Sequence, residues 1–170
     1  MTRKITLTAM FVALGTVFLF LTNMLPYGTV TLLCAASACV ALTVMECGLG
    51  CALLAYLAIS AFGFLLVSGN AAVFWEFVLV LGYYPVVKCL IERLNRFWLE
   101  WMIKILFFAA ISVLLLLLFH FVLFLPIPSK FPVWLYGIGG VALLCVYDYA
   151  LSMLLSYYHN QVKGKLKKRN

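Results

Sequence analysis

The sequence predicts an all-α integral membrane protein: six transmembrane helices, with both termini on the cytoplasmic side. Three observations predict it. The composition is 67% hydrophobic and 10% charged, where soluble domains carry about 45–50% apolar and about 25% charged residues; mean hydropathy is +1.16. The apolar residues fall into six runs, most of about the length of chain that crosses a bilayer core. The basic residues are segregated. Arg3, Lys4, Lys88, Arg93, Arg96, Lys104, Lys163, Lys165, Lys167, Lys168 and Arg169 fall on one face under the six-span reading, and only Lys130 falls on the other. That bias places the termini inside.

The first run covers 5–25 and follows a basic start, Arg3-Lys4. It has no small-x-small cleavage pattern before Pro26 and is long for a signal peptide, so it is expected to be retained as a span. Pro26-Tyr27-Gly28 is a turn signal. The second run, 29–45, is short and rich in Ala, Cys and Ser, and ends at Glu46-Cys47-Gly48. Gly48 and Gly50 permit a tight turn there, and Glu46 is expected to be a solvated turn residue. The third run covers 49–67 and ends at Ser68-Gly69-Asn70.

The fourth run, 71–90, is interrupted by Gly82-Tyr83-Tyr84-Pro85. Proline lacks the N–H for the helix ladder, so a kink is expected, as plain structure or as a hinge. Lys88 to Arg96 then forms a basic, amphipathic inner turn. The fifth run covers 98–125 and stops at Pro126-Ile127-Pro128. The sixth covers 133–158, and a basic tail occupies 159–170. The loops are too short for a soluble domain, so residues 1–170 are one membrane domain.

Several function classes are disfavoured. The net charge of +7 sits at span ends, where lipid headgroups account for it, and it does not form a nucleic-acid footprint. Six cysteines (34, 39, 47, 51, 89 and 145) include no CxxC and no zinc-ligand spacing with His. Cys47 and Cys51 are spaced to share a helix face, but two thiols make no metal site. No nucleophile elbow, HExxH motif or phosphate loop occurs. No enzyme activity, metal or cofactor is expected.

Ionisable residues inside a membrane need a reason. Asp148 is the deepest, and Lys104 and Lys88 lie at comparable heights, so the three are candidates for an ion pair or for a coupling or partner contact. Glu76 sits about one and a half turns into the fourth span. It is read either as a carboxylate reaching the headgroup zone or bonding Trp134, Tyr136 or His120, or as a polar group holding a solute. Outer aromatic and polar residues then form a candidate solute pocket: Asn23, Tyr27, Asn70, Trp75, Glu76, His120, Trp134 and Tyr136. Ala9 and Ala13 stand four apart on one face of the first helix, where small residues let a second helix approach closely in lipid.

The layout resembles the substrate-binding S components of energy-coupling-factor (ECF) transporters. Ala9-Met-Phe-Val-Ala13 matches their Ala-x-x-x-Ala motif, and the stretch from Cys47 to Leu57 is similar to their small-residue turn between helices two and three. The resemblance implies an S-component-like six-helix bundle in a bacterial cytoplasmic membrane that takes up a vitamin-like small solute. It implies docking through Ala9 and Ala13 on a transmembrane coupling protein with ATPase subunits. No biotin-type, thiamin-type or riboflavin-type motif is present. A membrane scaffold of similar fold, like the rod-shape-determining MreD-type proteins, is the alternative. The two differ in the outer region: a solute binder keeps a polar-lined cavity there, and a scaffold packs it with apolar side chains.

Overall fold

The computed structural model describes residues 2–66, 71–92, 97–121 and 133–160. Among these the regular structure is all helical, with no strand. The helices are α1 (Thr2–Leu21), α2 (Thr29–Cys47), α3 (Leu49–Leu66), α4 (Ala71–Glu76), α5 (Tyr84–Glu92), α6 (Phe97–Phe121) and α7 (Val133–Tyr158). A π-helical turn, Phe77–Leu81, joins α4 to α5. Among the described residues five segments are long and apolar enough to cross a membrane: Thr2–Leu21, Thr29–Cys47, Leu49–Leu66, Ala71–Glu92 and Gly137–Tyr158. That is the mark of a multi-pass membrane protein.

The first three helices run alternately up and down, and contacts at both ends show it. At the end holding the N terminus, the Cys47 thiol on α2 donates to Lys4 O on α1 over 3.4 Å. At the opposite end, Asn23 Nδ2 donates to Leu66 O at the end of α3 over 2.9 Å. Short turns enforce this order. Pro26–Gly28 forms one 3-10 turn between α1 and α2. Gly48 follows α2 at φ 94°, a positive-φ conformation that only glycine adopts without strain. That turn separates Cys47 from Cys51, so the two thiols do not share a helix face, contrary to expectation: Cys47 ends α2 and Cys51 belongs to α3.

α2 is the central helix. Leu33, Ala36, Ser37, Val40, Ala41 and Thr43 are fully or almost fully buried. Their small volumes let neighbouring helices come close, which substitutes for the hydrophobic driving force that lipid does not supply. On α2, Thr43 Oγ1 donates to Cys39 O over 2.9 Å, and Ser37 Oγ has two acceptors within reach of its one proton, Cys34 O at 2.9 Å and the Tyr147 hydroxyl at 2.5 Å. By contrast, Leu53, Leu54, Leu57, Phe64 and Leu65 on α3 are exposed, as a lipid-facing surface requires.

The interruption in the fourth span takes a specific form. Gly82 N–H bonds Phe77 O at 2.7 Å, five residues back. An α-helix would instead direct that donor to Val78 O. Tyr56 on α3 donates its hydroxyl to Val78 O over 2.9 Å. Pro85 cannot donate to Leu81 O, four residues back, and Tyr147 on α7 reaches that carbonyl with its hydroxyl over 3.5 Å. Tyr147 also shares a 2.5 Å hydrogen bond with Ser37 on α2. Both carbonyls thus find side-chain partners on neighbouring helices, the condition for breaking a helix inside an apolar medium.

Candidate functional site

Three places in the bundle concentrate chemistry. The first is a charge cluster joining α5, α6 and α7 toward the end that holds the N terminus. Lys88 Nζ donates to Asp148 Oδ1, to Ser152 Oγ at 2.7 Å and to Asp148 O at 3.4 Å, and it pairs with Glu92 Oε1 at 3.1 Å. Those contacts use all three ammonium protons. Lys104 Nζ meets Asp148 Oδ2 at 2.9 Å and Glu92 Oε1 at 3.6 Å. Tyr84 donates its hydroxyl to Asp148 Oδ1 at 2.5 Å. Lys88 is 2% exposed. Tyr84, also buried, packs its ring against Phe107, Phe108 and Tyr147.

Lys88, Lys104 and Asp148 therefore do come together, and the structure adds Glu92, Tyr84 and Ser152. Two ammoniums face two carboxylates, so the cluster is charge-balanced. Its geometry is that of a latch between three helices.

The second place is a cavity of about 350 Å³ in the half of the bundle away from that latch. Glu76 lines it, with Val30, Val80 and Leu81 on one side and Ser112, Leu115, Gly139, Gly140, Leu143 and Leu144 on the other. Glu76 is half-buried, and its carboxylate makes no hydrogen bond or ion pair among the described residues. Ser112 is 6% exposed, and its Oγ is buried without a hydrogen-bond partner. A carboxylate and an unpaired hydroxyl thus line one otherwise apolar pocket, whose rim at Val30, Gly139 and Leu143 is exposed.

The third place is a groove of about 670 Å³ along α1 and α3. Ala9 and Ala13 are exposed and lie in its wall, with Ile5, Thr8, Val12 and Thr16 from α1. Cys51, Leu54, Ala55, Ala58 and Phe62 from α3 form the other wall. Its two threonines are turned back on their own helix: Thr8 Oγ1 donates to Lys4 O over 2.9 Å and Thr16 Oγ1 to Val12 O over 2.8 Å. The groove therefore offers an apolar surface built largely from small side chains.

The expected solute pocket is corrected in part. Of Asn23, Tyr27, Trp75 and Glu76, only Glu76 lines the cavity. Tyr27 projects from the 3-10 turn and is fully exposed. Asn23 is exposed and ties α1 to Leu66 instead. Trp75 precedes Glu76 on the same helix, so it is turned about 100° away, and it packs on Phe74 with ring centroids 5.6 Å apart. Asn70 lies outside the described residues, as do the side chains of His120, Trp134 and Tyr136. Glu46, expected as a solvated turn residue, is bonded by Tyr158 at the end of α7.

Sequence reasoning missed Ser112 and the α3 wall. The signal for the wall was present: Cys51, Ala55 and Ala58 are small residues spaced by four and three, one face of a helix. Ser112 gave no signal, since a serine in an apolar span is ordinary. No family model, curated protein or solved structure matches this chain.

Proposed function

We propose that this chain is the solute-binding subunit of a membrane transport system and docks to an ATP-driven partner through α1 and α3. The observation that carries the reading is the Glu76 cavity. An unpaired carboxylate and an unpaired buried hydroxyl in an apolar chamber are costly to keep. A solute that bonds both offsets the cost, and a pure scaffold has no use for such a chamber. The volume of about 350 Å³ lies within the range of small-molecule sites, about 300–1,000 Å³.

In this reading α6, a helix of 25 residues, is the sixth crossing. The basic residues then put both termini on the cytoplasmic side, with Ala9 and Ala13 in the inner half. The occupant of the α1–α3 groove is an apolar helix of the coupling partner: small side chains admit close helix approach, and no polar group in the groove needs water. Energy for transport comes from that partner, because no phosphate-binding loop occurs in this sequence.

The test is mass spectrometry of small molecules released from the purified chain and from a Gly139→Phe variant. Gly139 lines the cavity and a Cβ there meets nothing within 4 Å, so the fold has room for a ring at the cavity's edge. The expected result is a discrete solute on the natural chain and its loss from the variant. Equal release from both contradicts the assignment of the cavity.

A further inference from the structure

We infer that the Glu76 cavity selects an organic monocation: an ammonium head on a compact apolar body. This rests on the solute-binding reading and adds the chemical class of the solute.

Charge is the first argument. Glu76 brings a carboxylate, and none of the described residues lining the cavity is basic. The two intramembrane ammoniums are committed elsewhere. Lys88 and Lys104 bond Asp148 and Glu92. Lys88 lies twelve residues from Glu76 along the fourth span, about 18 Å at the rise of a helix. An anionic solute would meet an uncompensated negative charge in an apolar medium. An uncharged solute can donate a hydrogen bond but leaves that charge uncompensated. An ammonium supplies both the donor and the charge, and charge-assisted hydrogen bonds are the strong ones.

Hydrogen-bonding capacity is the second argument, and it is independent of the first. Ser112, on α6, is almost wholly buried and its Oγ has no partner. An ammonium has more than one N–H, so it carries a donor for each of the two lining groups, Glu76 and Ser112. Gly140 keeps room there: a Cβ at that position would stand 3.0 Å from Ser112 Oγ. Shape is the third argument. The walls are aliphatic (Val30, Val80, Leu115, Leu144), and a chamber of about 350 Å³ admits one or two rings on a short amine arm. Among the described residues it has no second polar cluster for a sugar or a phosphate.

The test uses the full chain in phosphatidylcholine nanodiscs, whose zwitterionic surface limits adsorption of amines. Binding is measured by calorimetry for matched sets: tryptamine, tryptophol and indole-3-propionate, then phenethylamine, phenethyl alcohol and 3-phenylpropionate. The expected result is at least tenfold tighter binding of an amine than of its alcohol, with the carboxylates weakest. Glu76→Gln brings the amine to the level of its alcohol and leaves the alcohol within about twofold, whereas Glu76→Asp keeps the amine preference. Ser112→Ala weakens the amine several-fold. Equal affinity for amine and alcohol overturns the inference, as does an amine preference that survives Glu76→Gln, or no amine binding at all. Release of a neutral or anionic solute from the purified chain would overturn the inference and leave the solute-binding reading standing. With no amine bound and no solute released, both fall.

Discussion

Asp148 accepts from Tyr84, Lys88 and Lys104, three side chains on two other helical segments. A buried charge with one partner removed is strongly destabilising, by about 3–5 kcal/mol, because its former partner stays desolvated. Asp148→Asn leaves Lys88 and Lys104 with Glu92 as their remaining carboxylate. The chain is expected to lose about 3–5 kcal/mol, read as a large drop in thermal midpoint by tryptophan fluorescence in detergent. The double variant Asp148→Asn/Lys104→Met removes one charge of each sign and is expected to recover part of that loss. An unaltered midpoint in Asp148→Asn would mean that the latch carries no stability. This cluster was legible beforehand because ionisable groups are rare in spans and helix rise gives their relative heights. Glu92, Tyr84 and Ser152 were not, since a residue at a span end, an aromatic and a serine are all ordinary where they stand. Glu76 was legible for the same reason as Asp148. Its neighbour Trp75 was misread because an aromatic residue near a span end looks alike whether it lines a cavity or faces lipid.

Among the elements, the broken fourth span is the most informative. Proline announces the break, but Gly82 sets its form. A Cβ on Gly82 would stand 2.9 Å from Phe77 O and 2.8 Å from the Tyr56 ring. The ring can move aside, but the carbonyl is held by the Gly82 N–H. Gly82→Ala is expected to cost about 1–3 kcal/mol, the range for overpacking, again as a lower thermal midpoint. Tyr56→Phe removes the donor to Val78 O and is expected to cost about 1–3 kcal/mol, as for a carbonyl left unsatisfied. If both variants melt with the natural chain, the π-helical turn is not held in the way described. The extent of the fourth run was readable from hydropathy and the interruption from Pro85. The π turn was not, because it depends on Tyr56 and Tyr147 from distant helices taking the freed carbonyls. The α2–α3 turn was readable from its glycine, since a glycine at a helix end points to the positive φ found at Gly48, but its effect on Cys47 and Cys51 was not.

On the scale of the whole molecule, five of the six expected runs coincide with segments of the described residues that are long and apolar enough to cross a membrane, since length and hydropathy alone fix such segments. Convergence of side chains was harder to read. It depends on helix rotation, and these helices, apolar all round, give little sign of which face turns inward. The groove illustrates this: Ala9 and Ala13 were found from spacing, yet the α3 wall opposite them became visible only once the helices were placed side by side. Ala9→Leu/Ala13→Leu is expected to abolish co-purification of the coupling partner while solute release from the isolated chain is unchanged. Retained association would remove the docking proposal and leave the cavity proposal intact. Orientation has its own check in a bacterial host. A fluorescent-protein fusion at Asn170 is expected to fluoresce and an alkaline-phosphatase fusion there to be inactive, and the reverse would contradict a cytoplasmic C terminus. The central claim, that the space between Glu76 and Ser112 is a binding site, is tested most directly by a crystal structure from a lipid mesophase of the chain purified with its bound solute. The account predicts an ordered non-protein molecule within hydrogen-bond distance of the Glu76 carboxylate and Ser112 Oγ. A chamber closed by Leu115, Leu143 and Leu144 in mutual contact, with no molecule in it, would contradict it.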